Sequence, residues 1–375
     1  MEDSNSKELY LEDRRWMQRC LDLASRARGQ TSPNPLVGAV IVKEGKLVGE
    51  GYHKKAGDAH AEVVALNQAG SNARGGTLYV NLEPCCHYGK TPPCTKQIIA
   101  AGIKRVVVAI EDQNDLVCGK GITELKAAGI DVEVGILSEE ATKLNEVFFK
   151  HMRTKKPFVL WKVASTLDGK VALQNGQSRW ITSQEARKEV HQLRAEYDAI
   201  LVGSGTILAD DPMLNVRPLP EGFSHPVRVI LDTSARVSPE AKVFSEPGGV
   251  VLWVVGKDAQ IPKIPNVPEI CEVVRSPEEE IQIEWLLTEL GRRKITSLLL
   301  EGGPTVVASF VEAKAIDKVQ WYLAPKLIGS EGRSALGKLS IEEMARVPEL
   351  VHTTIRQIGV DFCIEGYPVW ETKGG

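Results

Sequence analysis

No apolar run in the 375 residues approaches the ~18 needed to cross a bilayer as a helix; the longest clean stretch, Leu36 to Val42, is already interrupted by Gly38. No membrane partner is therefore expected. The polar, acidic start from Met1 to Arg15 lacks a secretory pattern, so export is not expected either. A surplus of positive charge is also missing. The 46 Lys plus Arg against 49 Asp plus Glu leave a balance of −3, which gives no general grip on a nucleic-acid backbone. Nucleic acid is thus excluded as a partner, and any anion must be held by a local cluster. Cysteine is sparse and odd in number, seven in all, which argues against a disulfide framework and for a reducing compartment, the cytoplasm. Cys20, Cys118, Cys271 and Cys363 scatter singly and read as small buried hydrophobes, whereas Cys85, Cys86 and Cys94 fall within ten positions. That cluster needs its own explanation.

Neither a repeat between the halves nor a low-complexity tract is present. With 43% hydrophobic and 25% charged residues, disorder, collagen and coiled coil are excluded as the main architecture. At ~150 residues per domain, the length points to two domains or three. Apolar spacing predicts a helix over Arg14 to Arg28, strands over Leu36 to Lys43 and Lys46 to Tyr52, and a helix over His60 to Ala69 with Asp58 as its cap. A strand from Thr77 to Leu82, a helix from Thr95, a strand from Lys104 and a further helix and strand ending at Gly135 complete an α/β domain with both sheet faces covered. Residues 139 to 157 form a helical junction closed by Pro157. Beyond it, strands over Phe158 to Ala164, Ala199 to Val202, Val227 to Leu231, Val250 to Val255, Leu298 to Leu300 and Lys318 to Leu323 alternate with helices near Ser183 to Tyr197, Glu279 to Gly291 and Pro304 to Ala313.

His60-Ala61-Glu62 opens a helix, Pro84-Cys85 follows a strand, and Cys94 closes a loop containing Gly89, Pro92 and Pro93. One imidazole and two thiolates leave the fourth tetrahedral position of a zinc ion for water, the catalytic pattern. Such an ion can lower the pKa of its water from ~15.7 to about 7. Glu62, two residues from His60, is placed to carry a proton from that water to a ring nitrogen and then to a departing amine. The His-x-Glu and Pro-Cys-x-x-Cys signature is that of zinc deaminases. Here Cys85 and Cys94 have eight residues between them instead of two, and Cys86 and His87 compete as ligands, so spacing alone does not choose the set. A structural zinc site or an unmetallated loop is the alternative.

The second half has three strand ends rich in small residues, at Ser165 to Lys170, Gly203 to Thr206 and Glu301 to Thr305. Glycines there let backbone approach a ligand, and Pro304 suits a first helical turn. No G-x-G-x-x-G fingerprint occurs, so a Rossmann domain is not supported.

Three segments carry a family resemblance: Thr31-Ser-Pro-Asn-Pro-Leu-Val-Gly38, Gly57 to Leu66, and Leu82-Glu-Pro-Cys-Cys-His-Tyr-Gly-Lys-Thr-Pro-Pro-Cys94. They resemble the bifunctional riboflavin-biosynthesis deaminase/reductase family, in which the longer cysteine spacing is normal. The resemblance implies zinc on His60, Cys85 and Cys94, proton transfer by Glu62 and a substrate-facing Asn34. It continues at Gly119-Lys-Gly121, but the family's Asp-Pro-Asn-Pro appears as Asp112-Gln-Asn-Asp115, two prolines short, so that loop is expected to be less rigid.

The resemblance also implies an N-terminal cytidine-deaminase-like α/β/α sandwich over residues 10–150 and a C-terminal dihydrofolate-reductase-like α/β domain over 157–372 that uses NADPH. Ala164, Trp180, Thr206, Asp210 and Thr233 then face the cofactor, with Gly302, Gly303, Pro304 and Thr305 cradling its phosphate. Ser178, Arg194, Leu214, Arg217 and Glu301 face the substrate, and Thr166 stands where the family has serine. A ribose phosphate needs a guanidinium fork, for which Arg194 and Arg217 are the candidates. By default Arg194 would be a solvated helix position and Trp180 a core residue. The implied activity is hydrolytic removal of the 2-amino group of a 2,5-diamino-6-ribosylamino-pyrimidinone 5'-phosphate, followed by NADPH reduction of its ribosyl chain to ribityl. A homo-oligomer is expected. The rivals are a polynucleotide deaminase and a reductase with a zinc-stabilised but non-catalytic first module.

Overall fold

The computed structural model describes residues 2–88, 92–114, 117–245, 247–262 and 270–370. Gly89 of the cysteine loop, Asp115 of the altered loop and position 372 lie outside them. The chain divides into two compact units, Met1–Lys155 and Lys156–Gly375.

In the first unit the elements are α1 (Glu2–Ser25), β1 (Gly38–Lys43), β2 (Lys46–Tyr52), α2 (Ala61–Ala69), β3 (Thr77–Val80), α3 (Cys94–Ala101), β4 (Arg105–Val108), α4 (Lys120–Ala127), β5 (Asp131–Val134), α5 (Ser138–Leu144) and α6 (Glu146–Thr154). The sheet runs β2-β1-β3-β4-β5, antiparallel at β2-β1-β3 and parallel thereafter. Side-chain alternation splits its strands between two cores. Ala39, Ile41, Leu78, Val80, Val106 and Val108 pack with residues of α2, α3 and α4. Val40, Val42, Tyr79 and Val107 pack instead with Met17 and Cys20 of α1 and Ala141 of α5. The result is an α/β/α sandwich.

Two glycines of β2 place α2. A Cβ at Gly49 would stand 2.3 Å from the Ala65 carbonyl oxygen, and one at Gly51 2.5 Å from Val64 Cβ. Only hydrogen at these positions lets α2, and with it His60 and Glu62, settle on the sheet. Helix α1 begins well before the predicted Arg14, because its early turns, where Leu9, Tyr10 and Leu11 are exposed, form without an apolar stripe to bury. The predicted junction helix divides at Asn145, whose side chain accepts from Leu36 N–H (2.8 Å) and donates to Leu36 O (3.0 Å).

The second unit contains β6 (Phe158–Thr166), β7 (Lys170–Ala172), α7 (Gln184–Glu196), β8 (Ala199–Gly203), α8 (Ser204–Asp210), β9 (Val227–Leu231), α9 (Lys242–Ser245), β10 (Val251–Val255), β11 (Cys271–Arg275), α10 (Ile283–Arg292), β12 (Ser297–Leu300), α11 (Pro304–Glu312), β13 (Lys318–Ala324), β14 (Arg333–Ser334), β15 (Glu349–Ile358) and β16 (Asp361–Val369). Nine strands form one sheet in the order β11-β10-β9-β8-β12-β6-β13-β16-β15. It is parallel from β11 to β13 and closes with an antiparallel hairpin. Both domains are therefore α/β, as expected. Strand β12 inserts between β6 and β8, with Leu298 opposite both Val159 and Ala199. The carboxyl ends of these three strands frame a crevice, the usual ligand position in such sheets.

Two sequence expectations and one default reading are corrected. Asp58 does not cap α2; His60 is the N-cap residue and makes no side-chain cap bond, its ring being turned to the cysteines. Cys118 is exposed and Cys271 half-buried, so only Cys20 and Cys363 are buried single thiols. Trp180 is not a core residue, with 63% of its surface exposed.

Candidate active sites in the two units

Three segments of the first unit converge. His60 precedes α2, Cys85 lies in the turn after β3, and Cys94 is the first residue of α3. His60 Nδ1 lies 3.2 Å from Cys94 Sγ and 3.5 Å from Cys85 Sγ, and the three ligand atoms are all within 4.8 Å of one another. Cys86 and His87 do not join this group among the described residues. The donor set suits a divalent ion. A hydrogen bond from the Cys94 thiol, then His60, pulls Cys85 down to about 4, while the same bond and burial push Cys94 up. Two thiols thus compete for one negative charge, a conflict that a dication in place of the proton removes.

Glu62 is 3% exposed, and burial followed by the neighbouring Cys85 raises its pKa, with His60 opposing. A buried carboxyl beside the three ligands is placed to take up a proton from bound water and return it. Beside His60 sits His53, which sequence reasoning missed. Its Nδ1 faces the Ala59 carbonyl at 3.2 Å, which can only accept, so Nε2 is left to accept from Asn34 Nδ2 at 3.0 Å. Burial lowers the His53 pKa, and its ring meets that of His60 edge-on at 5.6 Å between centroids. A single histidine just beyond a strand carries no spacing signal.

In the second unit, a cleft of about 1090 Å³ opens at the crevice between strand ends. Every residue expected to face cofactor or substrate there lines it: Ala164, Ser178, Trp180, Arg194, Thr206, Asp210, Leu214, Arg217, Thr233 and Glu301 to Thr305. Gly303 is the N-cap of α11 and Pro304 opens it, so the N–H groups of its first turn face the cleft end. Arg187 stacks 4.3 Å from the Trp180 ring centroid, and Lys326 Nζ donates to Trp180 O at 2.8 Å. The Thr166 hydroxyl is turned to structure, donating to Asp168 Oδ1 (2.5 Å) and accepting from Lys170 N (2.9 Å).

Arg194 is not a free fork. Its Nε and Nη2 donate to the two carboxylate oxygens of Glu301 at 2.7 and 2.9 Å, and Lys162 Nζ lies 3.8 Å from the same carboxylate. Burial pushes Glu301 up, but Arg194 and Lys162 outweigh it and hold the carboxyl at about 2. Arg217 remains exposed at the cleft, with Nη1 3.6 Å from Met213 Sδ. Lys162 and His191 also line the cleft and had no distinguishing sequence pattern, since each sits on an ordinary strand or helix position.

The sandwich with its His-x-Glu helix and paired thiols, followed by a mixed-sheet unit with a nucleotide-sized cleft, defines a two-domain zinc deaminase and reductase. Residues 11–110 match the model of the cytidine and deoxycytidylate deaminase zinc-binding region, and residues 157–364 match that of the RibD C-terminal domain. The chain is 41% identical to riboflavin biosynthesis protein RibD of Escherichia coli, over 94% of this chain and 99% of that protein. It is 45% identical to the same-named protein of Bacillus amyloliquefaciens, over 94% and 95%. Among solved structures, Acinetobacter baumannii RibD superposes with a TM-score of 0.86 at 41% identity, covering 96% of this chain and 99% of that one. A Thermotoga maritima diaminohydroxyphosphoribosylaminopyrimidine deaminase/5-amino-6-(5-phosphoribosylamino)uracil reductase gives 0.84 at 37% identity over the same shares. The chain belongs to the RibD family of riboflavin-biosynthesis proteins.

Proposed function

We propose that residues 10–150 hydrolytically deaminate a 2,5-diamino-6-ribosylamino-pyrimidinone 5'-phosphate and that residues 157–372 reduce the ribosyl chain of the product to ribityl with NADPH. The observation that carries the first half is the convergence of His60, Cys85 and Cys94 within 4.8 Å beside the buried Glu62. Zinc held by those three residues supplies the Lewis acidity that makes water nucleophilic at neutral pH. Glu62 takes one proton from the attacking water and delivers it to the ring nitrogen next to C2, then moves the remaining proton of the new C2 hydroxyl to the amine, which leaves as ammonia while C2 keeps the oxygen as a carbonyl. Asn34, fixed by His53, orients the pyrimidine.

In the second half, NADPH supplies the hydride and the protein positions it and excludes water. The first turn of α11 and Thr206 hold a cofactor phosphate, and Trp180, Asp210, Thr233 and Ala164 line its path. Ser178, Leu214 and Arg217 face the substrate, with Arg217 as the phosphate-binding guanidinium. Arg194 acts on the substrate side by fixing Glu301, since its fork is already engaged. Seven free thiols suit the reducing cytoplasm. The exposed edge strand β15, with Ile355 68% exposed, supports a homo-oligomer.

Metal analysis combined with separate assays of the two half-reactions tests this reading. The expected result is bound zinc, ammonia released from the free pyrimidine phosphate, and NADPH consumed only with the deaminated compound. Ammonia released from polynucleotide alone would favour the nucleic-acid rival, and zinc without any deamination would leave the first unit as a scaffold.

A further inference from the structure

The turn carrying Cys85 is tied to a helix distant in sequence. Glu83, two residues before Cys85, is buried at 4% exposure. Its Oε1 accepts the N–H groups of Gly121 (2.8 Å) and Ile122 (3.1 Å), and its Oε2 those of Gly119 (2.9 Å) and Asp112 (3.1 Å). Gly119, the N-cap of α4, offers no side chain, so N–H groups of the first turn that would be orphaned are satisfied by this carboxylate. The approach is close: a Cβ at Gly121 would stand 2.2 Å from the Pro84 carbonyl oxygen.

One turn further along α4, Glu124 accepts from Thr95 Oγ1 at 2.7 Å and pairs with Lys96 at 2.5 Å. Thr95 follows Cys94 in α3, and its N–H donates to Cys85 O at 3.2 Å. Both thiol-bearing segments therefore rest on α4, one through Glu83 and the other through Glu124.

We propose that Glu83 is a positioning residue that sets the spacing of the Cys85 and Cys94 thiols and thereby the grip of the site on zinc, with Glu124 doing the same from the Cys94 side. The proposal rests on the reading of His60, Cys85 and Cys94 as the zinc ligands. Four charge-assisted bonds fill both oxygens of one buried carboxylate, which fixes the Pro84-Cys85 turn before any ion arrives. Partners outside the ligand set typically change metal affinity ~10–100-fold when removed. A glutamine at this position keeps the shape, but its NH2 would face two N–H donors that Glu83 now satisfies.

The test uses the full-length, zinc-loaded chain and follows zinc release to an excess of chromogenic chelator. Glu83→Gln is expected to speed release ~10–100-fold and to shift the thiolate-to-metal absorption of the cobalt-substituted protein. NADPH binding by the second unit checks that the rest of the chain is intact. Should Glu83→Gln leave the first unit unfolded, Thr95→Val removes only the hydroxyl bond to Glu124, leaving the Lys96 pair in place, and is expected to speed release about 3–10-fold. Release rates and cobalt spectra equal to those of the parent in the folded variants would overturn the proposal. A parent chain that takes up neither zinc nor cobalt would instead sink the ligand reading itself.

Discussion

Arg194 and Glu301 meet fork to fork at the reductase cleft, Nε to Oε1 at 2.7 Å and Nη2 to Oε2 at 2.9 Å. Both side chains are largely buried, at 17% and 9% exposure. Removing one partner strands the other's charge. Arg194→Ala is therefore expected to destabilise the second unit by about 3–5 kcal/mol, read from denaturant unfolding followed by tryptophan fluorescence. A loss under about 1 kcal/mol would show that Lys162 alone compensates Glu301.

Glu301 also makes a pH prediction. Its carboxyl is held at about 2, below the ordinary 4.5, so the folded state binds the proton more weakly than the unfolded state. The stabilisation is thus fully present above about 4.5 and is lost as pH falls toward about 2. Its size is on the order of 3 kcal/mol. Unfolding free energies measured from pH 5 downward should fall less steeply in Glu301→Gln than in the parent. Parallel curves would refute the coupling.

Glu62→Gln separates the two activities. It keeps the three ligands, so metal content should stay unchanged while ammonia release drops by ~10²–10⁴-fold. NADPH oxidation with pre-deaminated substrate should be intact. Undiminished deamination would remove Glu62 from the mechanism.

Arg217→Ala tests which guanidinium binds phosphate. Loss of a charge-assisted bond worth about 1.5–3 kcal/mol predicts a ~10–150-fold rise in KM for the pyrimidine phosphate, with KM for NADPH little changed. Equal rises for both would count against the assignment.

The zinc motif was legible because its elements are local: His60 and Glu62 share one helix start, and Cys85 and Cys94 bracket one loop. Strands with buried branched runs, such as Arg105–Val108 and Val227–Leu231, were legible for the same reason. Strand β15 was not, since every residue of Glu349–Gln357 is exposed and no alternation of buried and exposed positions marks it. Helix α8 was not legible either, because it starts with Ser204-Gly205 and is only seven residues long.

Composition and local pattern by themselves determined two α/β domains, a His-x-Glu and thiol chemistry in the first, and glycine-bearing strand ends in the second. Spacing left Cys86 and His87 open and the resemblance named Cys85 and Cys94; the tertiary structure brought those two together with His60, and it alone showed that His53 bonds Asn34 and that Arg194 is bound to Glu301. The reason is physical. Periodicity reports which face of an element is buried, whereas a polar side chain's partner is set by how distant elements pack, as with Arg194 and Glu301, which lie 107 residues apart.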